Sequence, residues 1–348
     1  MQISRTCGAI GVAAVLALTG TANAGSLFGT INNQYIFGRD FNIDIYRVST
    51  DLSSQGLTPA SGRVEPEGMT FYNGTLYVGS DGSTSEANGY LAAYAGGNLA
   101  AAPSAQRFTV TVGSNTAAYG PEGLTVNTRG TGYGSFSGSA PKFTAIDSVI
   151  SPVSSRVWGA MNSATGTVDN ALVSGSFNFD DIAYVPGASA AEDRFAVIDA
   201  SGAPAIRYYS ADNTPVDQGV VPAFNLPANS KGMTFLSAAD ANLFTPLATT
   251  DALLISSGAS SPNFVGVNVL SLYSLDGTLI ARSFVNAALG TIGNGEIESL
   301  AWDSEGKRLF LGYENGASSQ IGVFTVPAPS AGLLLGASAL AGLARRRR

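Results

Sequence analysis

A five-residue pattern recurs along the middle of the chain and constrains its fold more than any other feature. Each copy has, in order, a polar or charged residue, a small or polar residue, an aliphatic residue, a threonine or alanine, and an apolar residue. Successive copies start 55, 58, 51 and 67 residues apart. A repeat of this period is typical of small units that bury their apolar faces only against neighbouring copies. The copies are Glu67–Phe71, Glu122–Val126, Asp180–Tyr184, Lys231–Phe235 and Glu298–Trp302.

Strand-like segments follow the copies and are separated by residues that favour tight turns. Asn73-Gly74 allows the positive φ that a two-residue hairpin needs, and the stretch from Asp303 to Gly306 predicts another turn. Upstream of the first copy, Tyr35–Gly38 and Ile43–Ser49 predict the second and third strands of an incomplete unit. The region 128–155 after the second copy is rich in Gly and Ser, and we assign no strands to it.

These units predict an all-β fold, a β-propeller over residues 25–326 with five or six blades and six slightly preferred. Incomplete first and last units favour closure by pairing between the termini, which leaves no open sheet edge. The pattern resembles the Glu-Gly-aliphatic-Ala/Thr-aromatic blade start of several six-bladed propeller families, including phytase-like, SMP-30-like and NHL-type proteins. The alternative is a pair of β-sandwiches, which rarely repeat one phrase at this period.

Residues 1–24 have the three parts of a secretory signal peptide and predict an N-terminal signal helix. Arg5 supplies the positive charge, Gly8 to Thr19 form a short apolar run, and Ala22-Asn23-Ala24 is a cleavage site. The run is shorter than the ~20 residues that a helix needs to span a bilayer. Cys7 is the only cysteine, so the mature chain would have no disulfide. We therefore expect an exported protein.

Residues 327–348 predict a second targeting segment. An apolar, small-residue stretch from Ala331 to Ala344 lies between two prolines and four arginines, whose positive charge favours the cytoplasmic side. The arrangement resembles the PEP-CTERM sorting tag of Gram-negative bacteria, with Pro-Ala-Pro in place of the usual Pro-Glu-Pro. This implies a hydrophobic helix that anchors the chain transiently in the inner membrane until an exosortase-type protease removes it. The alternative is a simple C-terminal membrane anchor. The sorting residues are Pro327, Pro329, Arg345, Arg346, Arg347 and Arg348.

The net charge and the absence of histidine exclude some classes of partner and of catalytic site. The net charge is −7, and removal of Arg5 and the four terminal arginines leaves a body of −12. Such a body repels phosphate backbones, so we expect no nucleic-acid partner and favour cations or neutral glycans. The sequence contains no histidine, which excludes Ser-His-Asp triads and histidine metal sites.

The first residue of each copy gives the candidate functional site. If the pattern forms the innermost strand of each blade, these residues surround the propeller axis. Carboxylates without nitrogen or sulfur donors favour Ca²⁺ or Mg²⁺, and Ca²⁺ is the cofactor that we consider. The competing interpretation is that the carboxylates accept hydrogen bonds from nearby backbone amides. The candidate metal ligands are Glu67, Glu122, Asp180 and Glu298, with Lys231 as a compensating cation and Glu65, Asp181 and Glu296 beside them.

No catalytic residue is assigned from the sequence. A hydrolase pair needs two acids in distinct environments, whereas neighbouring acids such as Glu65/Glu67, Asp180/Asp181 and Glu296/Glu298 are usually solvated turn residues. Aromatic residues that either stack on sugars or pack in the core are Tyr72, Trp158, Tyr208 and Tyr209.

The sequence thus favours an exported, non-enzymatic protein of the cell surface or extracellular matrix that binds a polysaccharide or another surface protein. The alternative is a Ca²⁺-dependent hydrolase, either a phytase-like esterase or phosphatase or a lactonase, in which the channel carboxylates hold the metal and activate water.

Overall fold

The structure is a computed structural model, and it describes part of the chain. The described residues are 28–31, 34–37, 43–47, 66–80, 89–136, 140–150, 155–174, 178–258, 268–285, 296–314 and 320–325. The predicted signal peptide, the predicted sorting tag and Glu65 lie outside these ranges. Within these ranges, no helix is long and apolar enough to cross a membrane.

Strands dominate the described residues, with one α-helix, α1 (Ala238–Phe244), and one short 3-10 turn, Ala190–Glu192. The strands are β1 (Phe28–Ile31), β2 (Gln34–Phe37), β3 (Ile43–Arg47), β4 (Gly68–Tyr72), β5 (Thr75–Ser80), β6 (Tyr90–Ala95), β7 (Ser104–Val112), β8 (Asn115–Tyr119), β9 (Gly123–Thr125), β10 (Lys142–Ile150), β11 (Ser155–Asn162), β12 (Thr167–Ser174), β13 (Phe179–Val185), β14 (Arg194–Asp199), β15 (Ala205–Ser210), β16 (Asp217–Val220), β17 (Ser230–Leu236), β18 (Ala252–Ser257), β19 (Val269–Ser274), β20 (Leu279–Phe284), β21 (Glu296–Asp303), β22 (Arg308–Glu314) and β23 (Gln320–Thr325).

Most of these strands belong to four-stranded antiparallel units. Unit 1 is β4-β5-β6-β7, unit 2 is β9-β10-β11-β12, unit 3 is β13-β14-β15-β16, unit 4 is β17-β18-β19-β20, and unit 5 is β21-β22-β23-β3. The first strand of each unit carries or directly follows the start of the repeated pattern. These strands contact each other in the cyclic order β4, β9, β13, β17, β21 and β4 again. Radial sheets around a nearly closed inner barrel form a β-propeller, which confirms the predicted fold class over the pair of sandwiches.

The two ends of the described chain meet in unit 5, as the incomplete units predicted. β3 pairs with β23 from Gln320↔Arg47 to Phe324↔Ile43. β2, however, runs parallel to β20 at Ile36↔Phe284 and carries β1 with it, so this hairpin extends unit 4. The prediction that β2 and β3 belong to one incomplete unit is therefore wrong, because each pairs with the free edge of a different unit.

The Gly- and Ser-rich region after the second copy also contains regular structure. β10 covers most of its second half and pairs with both β9 and β11. The outer edge of unit 2 is covered by β7, which leaves β6, forms a hairpin with β8 and meets β12 in parallel at Thr109↔Thr167. Covering an edge in this way removes unpaired backbone groups that would otherwise bind other chains.

Apolar side chains fill the interfaces between neighbouring units. Leu254 of unit 4 and Leu309 of unit 5 share one core cluster, and Met69 of unit 1 shares another with Phe310 of unit 5. Further clusters fill the interfaces between units 1 and 2, units 2 and 3, and units 3 and 4. Each unit therefore buries its apolar faces only against its neighbours.

The predicted hairpin turns are confirmed. Asn73 and Gly74 join β4 to β5 with φ values of 47° and 73°, the left-handed conformation that tight hairpins require. Between β21 and β22, Oδ1 of Asp303 accepts hydrogen bonds from the backbone N–H groups of Glu305 and Gly306, at 3.1 and 2.8 Å. An Asp side chain that binds the following amides stabilises a turn of this kind.

Candidate functional site

The second position of the pattern is the most crowded part of the inner barrel. A Cβ added to Gly232 would lie 2.7 Å from Cα of Ser299, and one added to Gly123 would lie 2.9 Å from Cα of Asp181. A Cβ on Gly68 would lie 3.0 Å from the carbonyl oxygen of Glu122. Units 1, 2 and 4 have glycine at this position because the neighbouring backbone approaches it closely.

Asp181 occupies the same position in unit 3 and links three inner strands. Its Oδ1 accepts a hydrogen bond from the N–H of Ile182 at 2.7 Å, and its Oδ2 accepts one from the N–H of Met233 at 2.5 Å. The N–H of Leu124 also donates to this carboxylate. Burial raises the pKa of Asp181 well above its usual range, although these donors oppose the shift. Asp181 therefore accepts hydrogen bonds from nearby backbone amides, which is the interpretation that competed with metal binding.

The first position of the pattern carries a charged cluster centred on Lys231. The Nζ of Lys231 lies 3.2 Å from Oε2 of Glu298, whose side chain is 6% exposed. Burial lowers the pKa of Lys231, but the carboxylates of Glu298, Asp180 and Glu67 outweigh it and raise that pKa above its usual value. The lysine thus supplies positive charge to carboxylates from three other inner strands.

Asp180 is the member of this cluster whose pKa shifts toward neutrality. Burial raises the pKa of Asp180 to about 6, and the charges of Lys231 and Arg156 only partly offset that effect. A carboxyl group with a raised pKa is poorly compensated in its ionised form. The ionised form of Asp180 is therefore less stable in the folded protein than it would be in water.

The remaining predicted metal ligands have other surroundings. Glu122 is half-buried just before β9, and its backbone N–H donates to the carbonyl of Ile146 at 2.9 Å. The carboxyl carbon of Glu296 would lie 2.6 Å from a Cβ on Gly258. Among the residues that the structure describes, no three acidic side chains lie close enough together to hold a metal ion. Calcium binding by Glu67, Glu122, Asp180 and Glu298 remains a prediction, and Lys231 already contributes a cation there.

An axial pocket of about 210 Å³ lies beyond the crowded position, along the following residues of the same strands. Its lining combines aromatic, aliphatic and threonine side chains and draws on all five units. Among these positions sequence reasoning considered a binding role only for Tyr72, although the recurring threonine and aromatic residue at the end of the pattern marked the others. The lining residues are Met69, Thr70, Phe71, Tyr72, Leu124, Thr125, Val126, Thr128, Ile182, Ala183, Tyr184, Pro186, Met233, Thr234, Phe235 and Trp302.

Threonine hydroxyls provide part of the hydrogen-bonding capacity of the axial pocket. Oγ1 of Thr125 accepts a hydrogen bond from the N–H of Tyr184 at 2.9 Å, which joins β9 to β13. Thr70 and Thr234 occupy the equivalent position in units 1 and 4 and are half-buried. Their hydroxyls form no hydrogen bond with the described part of the protein, so both can donate to and accept from a ligand.

Tyr184 forms a fixed part of the pocket wall. Its hydroxyl donates to Oδ2 of Asp193 at 2.6 Å. Arg129 donates to both oxygens of that carboxylate, at 2.6 and 2.9 Å. Burial opposes ionisation of Asp193, but Arg129 and Tyr184 outweigh it and lower the pKa of Asp193. The same burial raises the pKa of Tyr184, so this hydroxyl stays protonated and oriented.

Phe71 is held from behind by a second network. Its ring stacks on Phe310 with centroids 5.7 Å apart, and the guanidinium of Arg308 lies 5.5 Å from the Phe71 centroid. Arg308 is itself bound to Asp303 at 2.6 Å. The aromatic wall is therefore preorganised, and the cation behind Phe71 is already paired.

The aromatic residues named from the sequence divide between the pocket and the core. Tyr72 lines the axial pocket. Trp158, Tyr208 and Tyr209 are 1%, 3% and 7% exposed and lie in the cores between units. Those three are packing residues, so the sugar-stacking interpretation is wrong for them.

Comparison with known proteins finds similarity of shape only. No protein-family model and no curated protein matches the sequence. A Trypanosoma rangeli sialidase in complex with 2,3-difluorosialic acid is 10% identical, with a TM-score of 0.38 over 87% of this chain and 57% of that chain. The same sialidase in complex with sialic acid is 9% identical, with a TM-score of 0.35 over 76% and 44%. The chain thus spans about half the length of these sialidases. The C-terminal WD40 domain of Sif2 is 11% identical, with a TM-score of 0.27 over 75% and 82%.

Proposed function

We propose that the protein is an exported, non-enzymatic binding propeller of the cell surface or extracellular matrix, and that it binds its partner in the axial pocket. The observation that supports this most directly is the separation of charge along the inner strands. The acidic side chains and Lys231 lie at the first and second positions of the pattern, whereas side chains without acidic or basic groups line the axial pocket. A preformed concave site with a few hydrogen-bonding groups is suited to ligand binding.

The hydrolase alternative has weaker support. It needs carboxylates that are free to hold a metal and to activate water. Glu298 is paired with Lys231, and Asp181 accepts hydrogen bonds from backbone amides. We therefore favour binding over hydrolysis.

Export and removal of the tail also belong to this proposal. The signal peptide over 1–24 and the tag over 327–348 support them. The last described strand, β23, ends at Thr325, two residues before Pro327. Cleavage at the tag would remove none of the four strands of unit 5.

We infer that the propeller has five blades rather than the six slightly preferred from the sequence. Two observations support this count. β21 contacts β4 directly, which leaves no space for another inner strand between units 5 and 1. The incomplete N-terminal unit is shared between units 4 and 5 instead of forming its own sheet.

A hydrolysis assay tests the proposal. Purified protein is incubated with phosphate monoesters, carboxylic esters and lactones, with millimolar Ca²⁺ or with EDTA, and its melting temperature is recorded in both buffers. We expect no turnover and the same melting temperature. Turnover that EDTA abolishes, and that Glu122→Gln also abolishes, would establish the calcium-dependent hydrolase instead.

A further inference from the structure

We propose that the axial pocket binds one uncharged sugar unit at the end of a polysaccharide chain. This inference rests on the proposed function, because it names the ligand class of the same pocket. It follows from the size of the pocket, from the groups that line it and from the charges around it.

The volume of the pocket limits the ligand to about one ring. Pockets for drug-sized ligands usually measure about 300–1,000 Å³, whereas the axial pocket measures about 210 Å³. On one side the inner strands crowd together at Gly68, Gly123 and Gly232, where even a Cβ would clash with the next backbone. We therefore place the entrance for the ligand at the other end of the barrel, so that only the terminal unit of a chain would reach the pocket.

The side chains match the two kinds of surface that a sugar ring presents. The half-buried rings of Phe71, Tyr72 and Phe235 offer apolar faces for the C–H groups of the sugar. Thr70 and Thr234 offer hydroxyls that lack partners among the described residues, and a hydroxyl both donates to and accepts from a sugar hydroxyl. An apolar ligand would leave these two hydroxyls without partners, at a cost in affinity.

Charge selects neutral sugars over acidic ones. None of the described lining residues is a Lys, Arg, Asp or Glu. Two cations behind the wall, Arg308 and Arg129, are already bound to Asp303 and Asp193. A sugar carboxylate would lose its hydration without gaining a partner, inside a body with a net charge of −12.

Calorimetric titration with simple glycosides tests the inference. The probes are the methyl glycosides of glucose, galactose, mannose and N-acetylglucosamine, with glucuronic acid and sialic acid as charged comparisons. We expect at least one neutral glycoside to bind and both acids to bind at least tenfold more weakly. The Thr70→Val/Thr234→Val double variant should weaken the neutral ligand by about tenfold or more, since it removes two hydrogen-bonding groups.

Control variants and melting curves distinguish loss of binding from loss of folding. Thr109→Val alters an exposed strand threonine outside the pocket and should leave binding unchanged. Phe235→Leu provides a second pocket variant, and melting curves check that each variant is folded. Equal affinity of the Thr70→Val/Thr234→Val and Thr109→Val proteins would overturn the pocket assignment, and stronger binding of an acidic sugar would overturn the preference for neutral ligands.

Failure of the sugar assignment is distinguishable from failure of the proposed function. If no glycoside binds while the protein still adheres to the surface of its own cells, the sugar inference is wrong and the binding function stands. If a glycoside is hydrolysed, the non-enzymatic function itself is wrong.

Discussion

The Nζ of Lys231 and Oε2 of Glu298 lie 3.2 Å apart and join the inner strands of units 4 and 5. Glu298 is nearly inaccessible to water, whereas the lysine is about one-third exposed. Removing one partner of a buried ion pair leaves the other charge uncompensated, which is more damaging than the loss of an exposed pair. The contact therefore stabilises the barrel mainly because Lys231 compensates the negative charge of Glu298 and of the neighbouring carboxylates.

Replacement of this lysine should destabilise the protein. Lys231→Met should lower the free energy of unfolding by about 2 kcal/mol at pH 8, less than for a fully buried pair because Lys231 is partly exposed. The pKa of Lys231 is raised, so its stabilisation is fully present below its ordinary pKa and is lost only as the pH rises through the folded value. Urea unfolding measures the effect.

Lys142→Met is the matched control for that substitution. Lys142 lies 2.9 Å from Asp169, and both side chains are about 30% exposed. A pair whose carboxylate is as accessible as Asp169, in contrast to Glu298, contributes about 0–1 kcal/mol. Equal losses in the Lys231→Met and Lys142→Met proteins would show that the axial pair has no special role.

The pH dependence of stability should report on Asp180. Because the pKa of Asp180 is raised to about 6 by burial, the folded state binds its proton more tightly than the unfolded state does. Its contribution to stability therefore falls as the pH rises from about 4 to about 6, by about 3 kcal/mol in total, and is constant above that range. Asp180→Asn removes this term, so the variant should gain stability relative to the natural protein between pH 4 and pH 7. A difference that is constant with pH would contradict the assignment.

Crowding of the inner strands predicts unequal effects of two glycine substitutions. Gly232→Ala should lower the free energy of unfolding by about 2 kcal/mol, because its Cβ would meet the backbone of Ser299 at 2.7 Å. Gly202→Ala introduces a Cβ with nothing within 4 Å and should change stability by less than about 0.5 kcal/mol. Melting curves of the two variants compare them directly, and equal melting temperatures would disprove the close approach.

If the predicted signal peptide and the predicted sorting tag are correct, the mature protein has defined ends. In a Gram-negative host with an exosortase-type protease, the mass of the exported protein should correspond to loss of residues 1–24 and of a C-terminal piece that begins near Pro327. A variant with Arg345 to Arg348 replaced by glutamine should keep its tail, because the positive charges no longer hold it on the cytoplasmic side. A surface protein that retains its natural C-terminus would contradict the sorting tag and favour a simple anchor.

The repeated pattern predicted the inner strands because the first strand of each unit meets a similar environment. Gly68, Gly123 and Gly232 recur since each must pass close to the backbone of the next unit. The turns at Asn73-Gly74 and at Asp303 were equally predictable, because the residues of the turn themselves stabilise it.

The sequence did not predict which strands pair when they are far apart along the chain. β2 and β3 have similar strand composition, and only the free edges of β20 and β23 decide that they join different units. The partner of Lys231 was likewise undetermined, because Glu298 arrives from a strand 67 residues away. The axial pocket depends on five strands at once, so no single copy of the pattern predicts it.

Closure of unit 5 by β3 and β23 joins residues that are roughly 270 positions apart. Contacts of such separation form slowly, because the chain must lose much entropy before they contribute stability. Until the last strand is synthesised, β3 has no partner from unit 5, and a nascent chain that stops before Gln320 cannot complete the circle. The propeller therefore completes its fold only after nearly all of the chain has been synthesised. Any removal of the C-terminal tail would then act on a propeller that has already closed.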